Sequence, residues 1–483
     1  MASLHLASLI FATSYRSSFG VPVALLRTLA SSTRYCSMDN QHSSKFNHGL
    51  PWSSWKSTRR KLSSQCLRTD VAACTTANPS ANGYPEYNRL LPCPSESRTP
   101  RIEHLIVSEE GPALQLICKA LHLPPLFVAD LIHFGAVYYA LVCPQPPKTA
   151  TPEQIKAFKK YTAPSVLKKR ASIKGKTLRD TQRTFRITHV DQILEAGTYL
   201  RVHLHPKRFP RCYEIDWKSR IIAVDDSFVV LDKPAGISVG GTTDNIEESC
   251  ATFATRALGL GTPLRTTHQI DNCTEGCVVF ARSKEYCSIF HEKIRKRTVK
   301  KLYLALAASP VPIGVITHYM RPANIAPRII SEEYIKGWHL CQLEVMECKE
   351  VPWPNAAIEQ KYCVEDCAWP SKDHAYECKI NLLTGRTHQI RAQLAAFGAP
   401  LVGDSMYMPA TLAEIANPGL NPFRKPERHY ASEDDEAVAV AEWVAQHGKE
   451  PTVAIGLQAC QISWDDGKYI YKARSPWWRR GMD

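Results

Sequence analysis

The sequence predicts an α+β fold, because segments with strand patterning alternate with segments of helical spacing in the second half of the chain. Residues 221–224 and 228–231 flank Asp-Asp-Ser, which is the pattern of a β-hairpin. Residues 286–294 carry apolar side chains at helical spacing. Leucines alternate with other side chains over residues 299–306, as in a strand with two different faces. Further strand patterns over 376–382 and 455–464 indicate a larger sheet with helices beside it.

Folded structure is predicted to begin near Ile102. Residues 113–121 have helical spacing, and Pro124-Pro125 ends that helix and opens a second one, which stops at Gly135. Residues 136–142 and 199–204 have the pattern of strands. A small N-terminal module of two helices and two strands is therefore expected ahead of the larger sheet.

Composition and charge point to a nucleic-acid partner. The 483 residues suffice for about three domains, at roughly 150 residues each. Lys and Arg number 60 against 46 acidic residues, and the formal net charge of +14 favours nucleic acid over a membrane surface. No run of 18 apolar residues is present, so no membrane span is predicted.

The 17 cysteines include no C-x-x-C pair, which removes the commonest zinc and redox signatures. Reduced, partly buried thiols are the favoured interpretation. The alternative is a metal-dependent hydrolase that uses the cysteines between Cys341 and Cys378 with His374 and His388, although their spacing does not match a thiolate site.

Three segments outside the strand and helix patterns have a distinct composition. Residues 1–38 lack acidic residues and are rich in Ser and Thr, as in a transit peptide, and the hydroxyl content favours the chloroplast over the mitochondrion. Residues 39–100 predict a disordered linker. Residues 147–186 hold twelve basic and two acidic residues. They predict a basic insertion, either a solvated loop or a phosphate-contacting arm.

Three single residues raise questions that local structure leaves open. Asp271 lies in a polar loop just before an apolar strand, where it either caps the loop or performs chemistry. Arg391 lies in the first turn of a predicted helix, where a cation opposes the helix dipole, so we expect a tertiary carboxylate or phosphate partner. Tyr303 faces away from the leucines of its strand, as a functional tyrosine or as a cross-strand aromatic.

Four motifs occur in order along the chain and together resemble the RluA-type RNA pseudouridine synthases, in particular the plant organelle members. The match to the family covers roughly residues 220–408, and a second, weaker match covers residues 453–465. The motifs are Val-Asp-Asp-Ser-Phe-Val-Val-Leu-Asp-Lys-Pro-Ala-Gly at 224–236, His-Gln-Ile-Asp at 268–271, Lys-Leu-Tyr-Leu-Ala-Leu at 301–306, and Gly-Arg-Thr-His-Gln-Ile-Arg at 385–391 with Val-Gly-Asp at 402–404.

The resemblance implies an isomerase that cuts the bond between ribose C1′ and uracil N1, turns the base and joins C5 to C1′. Asp271 matches the family's catalytic aspartate, as nucleophile or as base, and Arg391 matches the arginine that pairs with it. Tyr303 matches the active-site tyrosine. Substrate-binding roles are implied for His268, Gln269, His388 and Ile390. No metal or cofactor is required, and the expected partner is RNA, as an rRNA or tRNA uridine in a loop or single strand, bound by a monomer.

The resemblance also implies an architecture, a mixed, largely antiparallel central sheet with flanking helices and a cleft. The catalytic domain is expected over residues 220–475, with an insertion at 409–450. The N-terminal module resembles the small S4-type RNA-binding fold and is expected over 101–210, split by the basic insertion.

Two positions depart from the family pattern. Gln269 stands where the family usually has the arginine that fills the space of the flipped base, and Glu275 stands where a small hydroxyl residue is usual. Both departures bear on the choice of substrate. The alternative function is a non-catalytic S4-type RNA-binding protein on a synthase scaffold, which loss of Asp271, Tyr303 or Arg391 would have favoured.

Overall fold

The structure is a computed structural model that describes residues 102–145, 152–167, 170–322, 326–416 and 450–480. The transit peptide and linker predicted over 1–38 and 39–100 lie outside these residues, as does 417–449, most of the insertion predicted at 409–450. Within the described ranges, no helix is both long and apolar enough to cross a membrane.

Residues 102–203 form an antiparallel sheet of four described strands, in the order β1-β6-β3-β4, with two helices on one face. The elements are β1 (Ile102–Ile106), β2 (Gly111–Pro112), α1 (Ala113–Leu121), α2 (Pro125–His133), β3 (Val137–Ala140), α3 (Pro152–Tyr161), α4 (Pro164–Leu167), α5 (Leu178–Thr181), β4 (Phe185–Arg186), β5 (Ile193–Leu194) and β6 (Tyr199–His203). The two helices and the two main strands were predicted from the sequence.

Prolines and a glycine set the path of this module. Pro124 has an extended backbone and precedes α2, whose first residue is Pro125, so no helical N–H group is lost there. Gly135 follows α2 with a φ of 73°, and a Cβ atom there would lie 2.8 Å from Ile246. Only glycine accepts both the left-handed backbone and that close approach. The core buries Ile117 and Leu131 against the sheet.

The basic insertion is helical and lies against the module. Phe158 and Tyr161 of α3 pack on Ile106 and Tyr199, on the sheet face opposite α1 and α2. Arg170 donates hydrogen bonds to the backbone carbonyls of Leu141 and Gly197. Arg170 is therefore a structural residue, while a contact of the exposed lysines of this segment with phosphate stays a prediction.

The larger part of the chain forms a sheet of eleven described strands with helices beside it. Its elements are β7 (Ile221–Val224), β8 (Phe228–Lys233), α6 (Cys250–Ala257), β9 (Arg265–Thr266), β10 (Glu275–Ala281), α7 (Lys284–Arg295), β11 (Lys300–Ala307), β12 (Gly314–Met320), β13 (Ile330–Ser331), β14 (His339–Pro352), α8 (Ala356–Lys361), β15 (His374–Leu382), α9 (Gln389–Ala396), α10 (Tyr407–Ala416), β16 (Leu457–Trp464) and β17 (Tyr469–Lys472).

The strand order β13-β12-β14-β15-β11-β16-β10-β8-β7 is antiparallel at every described pair except β10–β16. The predicted mixed, largely antiparallel sheet is confirmed. At the parallel pair, Gly276 lies opposite Ala459 with a φ of 116°, and a Cβ atom would meet the Ala459 carbonyl oxygen at 2.3 Å. This close approach brings the start of β10 against β16 in the middle of the sheet.

The C-terminal segment docks onto this sheet through Glu275. The Glu275 carboxylate is almost fully buried, accepts the backbone N–H of Trp477 at 2.9 Å and pairs with Arg480 at 3.2 Å. Trp477 and Trp478 are buried beside it. The acidic residue that departs from the family pattern therefore anchors the C-terminal segment, and its effect on substrate choice stays a prediction.

Candidate active site

The loop 267–274 joins β9 to β10 and carries Asp271. Lys233, fully buried at the end of β8, donates hydrogen bonds to the carbonyl oxygens of Asn272 at 2.9 Å and Thr274 at 2.7 Å. At the other end of the loop, the Thr267 hydroxyl donates to the Val279 carbonyl at 2.7 Å. The loop is thus held at both ends by strands of the sheet, and the Asp271 side chain between them is 19% exposed.

Helix α9 supplies the cation of the site. Its N-cap is His388 in the left-handed conformation. Arg391 is fully buried and forms a bidentate pair with Asp404, at 2.8 and 2.9 Å. Its Nη1 atom also lies 3.5 Å from an Asp271 carboxylate oxygen. The tertiary carboxylate partner expected for a cation at this end of a helix is confirmed.

A third carboxylate reaches the same guanidinium. Glu450 accepts a hydrogen bond from Arg391 Nη1 at 3.0 Å, and its side chain is 29% exposed. It lies 59 residues beyond Arg391 in the chain. Sequence reasoning missed Glu450 because nothing in its local pattern points to this helix. Asp404 was part of a motif, yet its role as the buried anchor of Arg391 is visible only in the structure.

Tyr303 reaches the site through the alternation of side chains along β11, which places it on the same face as Ala305 and Ala307. The pairing of β11 with β16 shifts between Leu302 and Leu304, where β16 has one extra residue opposite Tyr303. Its buried ring belongs to the apolar cluster of Cys273 and Ile390, whereas Leu304 packs on the other face. The predicted separation of Tyr303 from the leucines is confirmed.

The four residues with predicted substrate-binding roles differ in their surroundings. Ile390 is buried beside Tyr303, and Gln269 is exposed on the loop that carries Asp271. His388 lies 3.6 Å from Glu450. The Nε2 atom of His268 accepts the backbone N–H of Val279 at 3.1 Å, and its ring stacks on Phe290, contacts that tie the loop to the sheet. Their roles toward the substrate stay predictions.

Burial and charge oppose each other at Asp271. Burial raises the pKa of the Asp271 carboxyl above its ordinary value, and the nearby Asp404 raises it further, while Arg391 lowers it. Burial also raises the pKa of Tyr303, with a contribution from Asp271, so the phenol keeps its proton at neutral pH. Burial and Arg391 lower the pKa of His388 to about 4, which leaves the imidazole neutral.

The arrangement combines a part-exposed carboxylate, a fixed cation and a protonated phenol around an apolar wall. These groups can attack or deprotonate a sugar carbon and can exchange a proton with a stacked base. In the part of the chain that the structure describes, no group of three or more His, Cys, Asp or Glu side chains is placed to hold a metal ion.

Comparison with known proteins gives a consistent result. The sequence pattern that defines the RNA pseudouridylate synthase family matches residues 227–396, a range that includes Asp271, Tyr303 and Arg391. The chain is 65% identical over 465 residues to RNA pseudouridine synthase 6, chloroplastic, of Arabidopsis thaliana, an alignment that covers 95% of this chain and 97% of the relative. It is 62% identical to the protein of the same name from Oryza sativa subsp. japonica, over 85% of this chain and 86% of the relative.

A bacterial relative ties the catalytic part to the RluA type. The chain is 27% identical to the dual-specificity RNA pseudouridine synthase RluA of Pasteurella multocida, over 39% of this chain and 77% of the relative. The two plant relatives are both named chloroplastic, and the chloroplast is the location of this protein as well.

The motifs and the family pattern cover the second half of the chain, and the Arabidopsis thaliana relative aligns with nearly all of it. The chain belongs to the RluA-type RNA pseudouridine synthases, and it is an isomerase that converts uridine to pseudouridine in RNA.

Proposed function

We propose that Asp271 is the catalytic residue and acts directly on the ribose of the target uridine. It attacks C1′ as a nucleophile or removes a ribose proton as a base, and both routes need an ionised carboxylate beside the sugar. The observation that supports this role is the pairing of Asp271 with the buried cation of Arg391 while its own side chain remains part-exposed. Arg391 opposes the effect of burial on the pKa of Asp271 and so favours the charged form, while the exposed part of the side chain is within reach of a substrate.

The surrounding residues divide the remaining tasks. Arg391, fixed by Asp404, orients Asp271. Tyr303 stacks on the uracil and assists proton transfer at C5, and Ile390 forms the apolar wall beside the base. Gln269, exposed on the same loop, fills the place that the target base leaves when it is extruded from the RNA. An amide there can hydrogen-bond the orphaned partner base.

The N-terminal module is proposed to be an S4-like domain that adds RNA affinity. Its insertion helix α3 carries Lys156, Lys159 and Lys160 on the exposed surface, where they can neutralise RNA phosphates. The expected target is an rRNA or tRNA of the chloroplast, with the uridine in a loop or a single strand, where bases are already unstacked. The enzyme is expected to act as a monomer.

Mapping pseudouridine in chloroplast RNA tests the proposal and identifies the target. A plant line that lacks the protein is complemented with the wild-type chain or with Asp271→Asn, and RNA is analysed with a pseudouridine-selective reagent. We expect at least one site to be lost in the null line, restored by the wild type and not restored by the variant. Restoration by Asp271→Asn would refute the role of this carboxylate.

A further inference from the structure

Two cysteine thiols face each other across neighbouring strands, outside the groups that the reaction uses. Cys348 of β14 and Cys378 of β15 are direct cross-strand partners, and their sulfur atoms lie 3.5 Å apart. A disulfide bond is about 2.05 Å long, so rotation of the side chains has to close a gap of roughly 1.5 Å.

The two thiols differ in access and reactivity in the way that disulfide exchange requires. Cys378 is fully buried, while Cys348 is half-buried and accessible from solvent. The Cys378 thiol donates a hydrogen bond to the Cys348 sulfur, which lowers the pKa of Cys348 to about 6. Burial instead raises the pKa of Cys250 to about 12 and of Cys341 to about 11. Cys348 is therefore a thiolate at neutral pH, which is the attacking species in exchange.

We propose that Cys348 and Cys378 form a reversible disulfide when the enzyme meets a disulfide oxidant of the glutathione type. The Cys348 thiolate attacks one sulfur of the oxidant, forms a mixed disulfide and releases one thiolate. Cys378 then loses its proton, attacks the Cys348 sulfur and expels the second thiolate. In total the two protein thiols lose two protons and two electrons, one of the protons on ionisation of Cys348, and one oxidant molecule becomes two thiols.

The position of the pair connects it to the active site through the sheet. On β15, Cys378 pairs with Ala305 of β11, and Ile380 pairs with Tyr303. On the other side, the pairing of β14 with β15 is irregular between Val345 and Glu347, next to Cys348. The disulfide would join the two strands beside this irregularity and two residues along the ladder from the partner of Tyr303.

Peptide mapping of the full-length enzyme tests the proposal. The protein is equilibrated in glutathione buffers that range from fully reduced to fully oxidised, free thiols are blocked with iodoacetamide, and tryptic peptides are identified by mass spectrometry. We expect residues 337–349 joined to 373–379 in oxidising buffer, with fragmentation assigning the link to Cys348 and Cys378. Dithiothreitol is expected to remove the joined peptide completely.

Two variants complete the experiment. Cys348→Ser is expected to abolish the joined peptide, and Cys363→Ser, which removes an exposed thiol elsewhere, is expected to leave its yield unchanged. The proposal is overturned if the wild type shows no such link in the most oxidising buffer. It is also overturned if Cys341 replaces Cys348 in the link, or if the joined peptide persists in Cys348→Ser.

Discussion

Arg208 and Arg391 are both buried and both form a bidentate pair with a carboxylate. They differ in the number of carboxylates that contact the guanidinium. Arg208 forms a bidentate pair with Glu248, and the two side chains are 1% and 0% exposed. The Glu248 carboxylate also accepts the N–H of Phe209 and the amide of Asn245. Arg391, in contrast, meets three carboxylates, those of Asp404, Glu450 and Asp271. In these contacts Glu248 balances the charge of Arg208, whereas the three carboxylates on Arg391 carry an excess of negative charge.

The excess charge is confined to the side of the cluster that faces solvent. Asp404 is fully buried, while Glu450 and Asp271 are 29% and 19% exposed. A buried pair that is matched and fully hydrogen-bonded holds the fold together without chemistry. A cluster with more carboxylates than cations keeps one of them weakly paired and available to a substrate. This difference separates Arg208 from Arg391, whose proposed task is to orient Asp271.

The largest expected effect is on stability and is common to both clusters. Arg208→Met leaves Glu248 as an unpaired buried charge, and Arg391→Met does the same to Asp404. Each change is expected to lower the free energy of unfolding by about 3–5 kcal/mol, the usual result of breaking a buried ion pair. Denaturant titration of the two variants measures it. A loss below about 1 kcal/mol in either variant would show that its carboxylate finds another partner.

A smaller and purely catalytic effect is expected at Tyr303. Tyr303→Phe keeps the ring in its apolar cluster and removes the hydroxyl, so stability should change little. Activity is expected to fall by about 10²-fold or more, the range for loss of a group that transfers a proton. Single-turnover rates give the effect, with Tyr319→Phe on β12, which is separated from β11 by two strands of the same sheet, as the matched control. If Tyr303→Phe reacts at the wild-type rate, the hydroxyl takes no part in proton transfer, and only the stacking role of the ring remains.

The salt dependence of RNA binding separates the surface charges from both clusters. Replacing Lys156, Lys159 and Lys160 by Gln is expected to reduce the slope of log K against log salt concentration by about 2, at roughly 0.7 for each single-strand phosphate contact. The same change at Lys349, Lys361 and Lys372 of the catalytic domain serves as the control. If the slope of the first variant is unchanged, those three lysines contact only solvent and no RNA phosphate.

The smallest effect tests the charge excess directly. Glu450→Gln removes a negative charge from the Arg391 cluster, which strengthens the attraction between Arg391 and Asp271 and lowers the pKa of Asp271. Activity requires the ionised form, so the acid limb of the pH profile of kcat/KM is expected to move to lower pH. If the acid limb of this profile stays in place or moves to higher pH, Glu450 does not raise the pKa of Asp271.

Much of the fold follows from local patterns, while the charge balance of the site does not. The helix 113–121 and the hairpin of β7 and β8 were predicted because spacing and turn residues act over a few positions. A carboxylate or phosphate partner for Arg391 was expected because a cation in the first turn of a helix opposes the helix dipole. Glu450 and the anchoring role of Glu275 depend on contacts between residues far apart in the chain, for which no local pattern exists.

Release of tritium from RNA labelled at C5 of uridine tests the central claim most directly. It is measured in a single turnover with the wild type, with Asp271→Asn and with Asp404→Asn, alongside RNA binding by filter retention. We expect Asp271→Asn to bind RNA like the wild type and to release no tritium, while Asp404→Asn, in which Arg391 is held less firmly, is slowed but active. Tritium release by Asp271→Asn at a measurable rate would contradict the central claim.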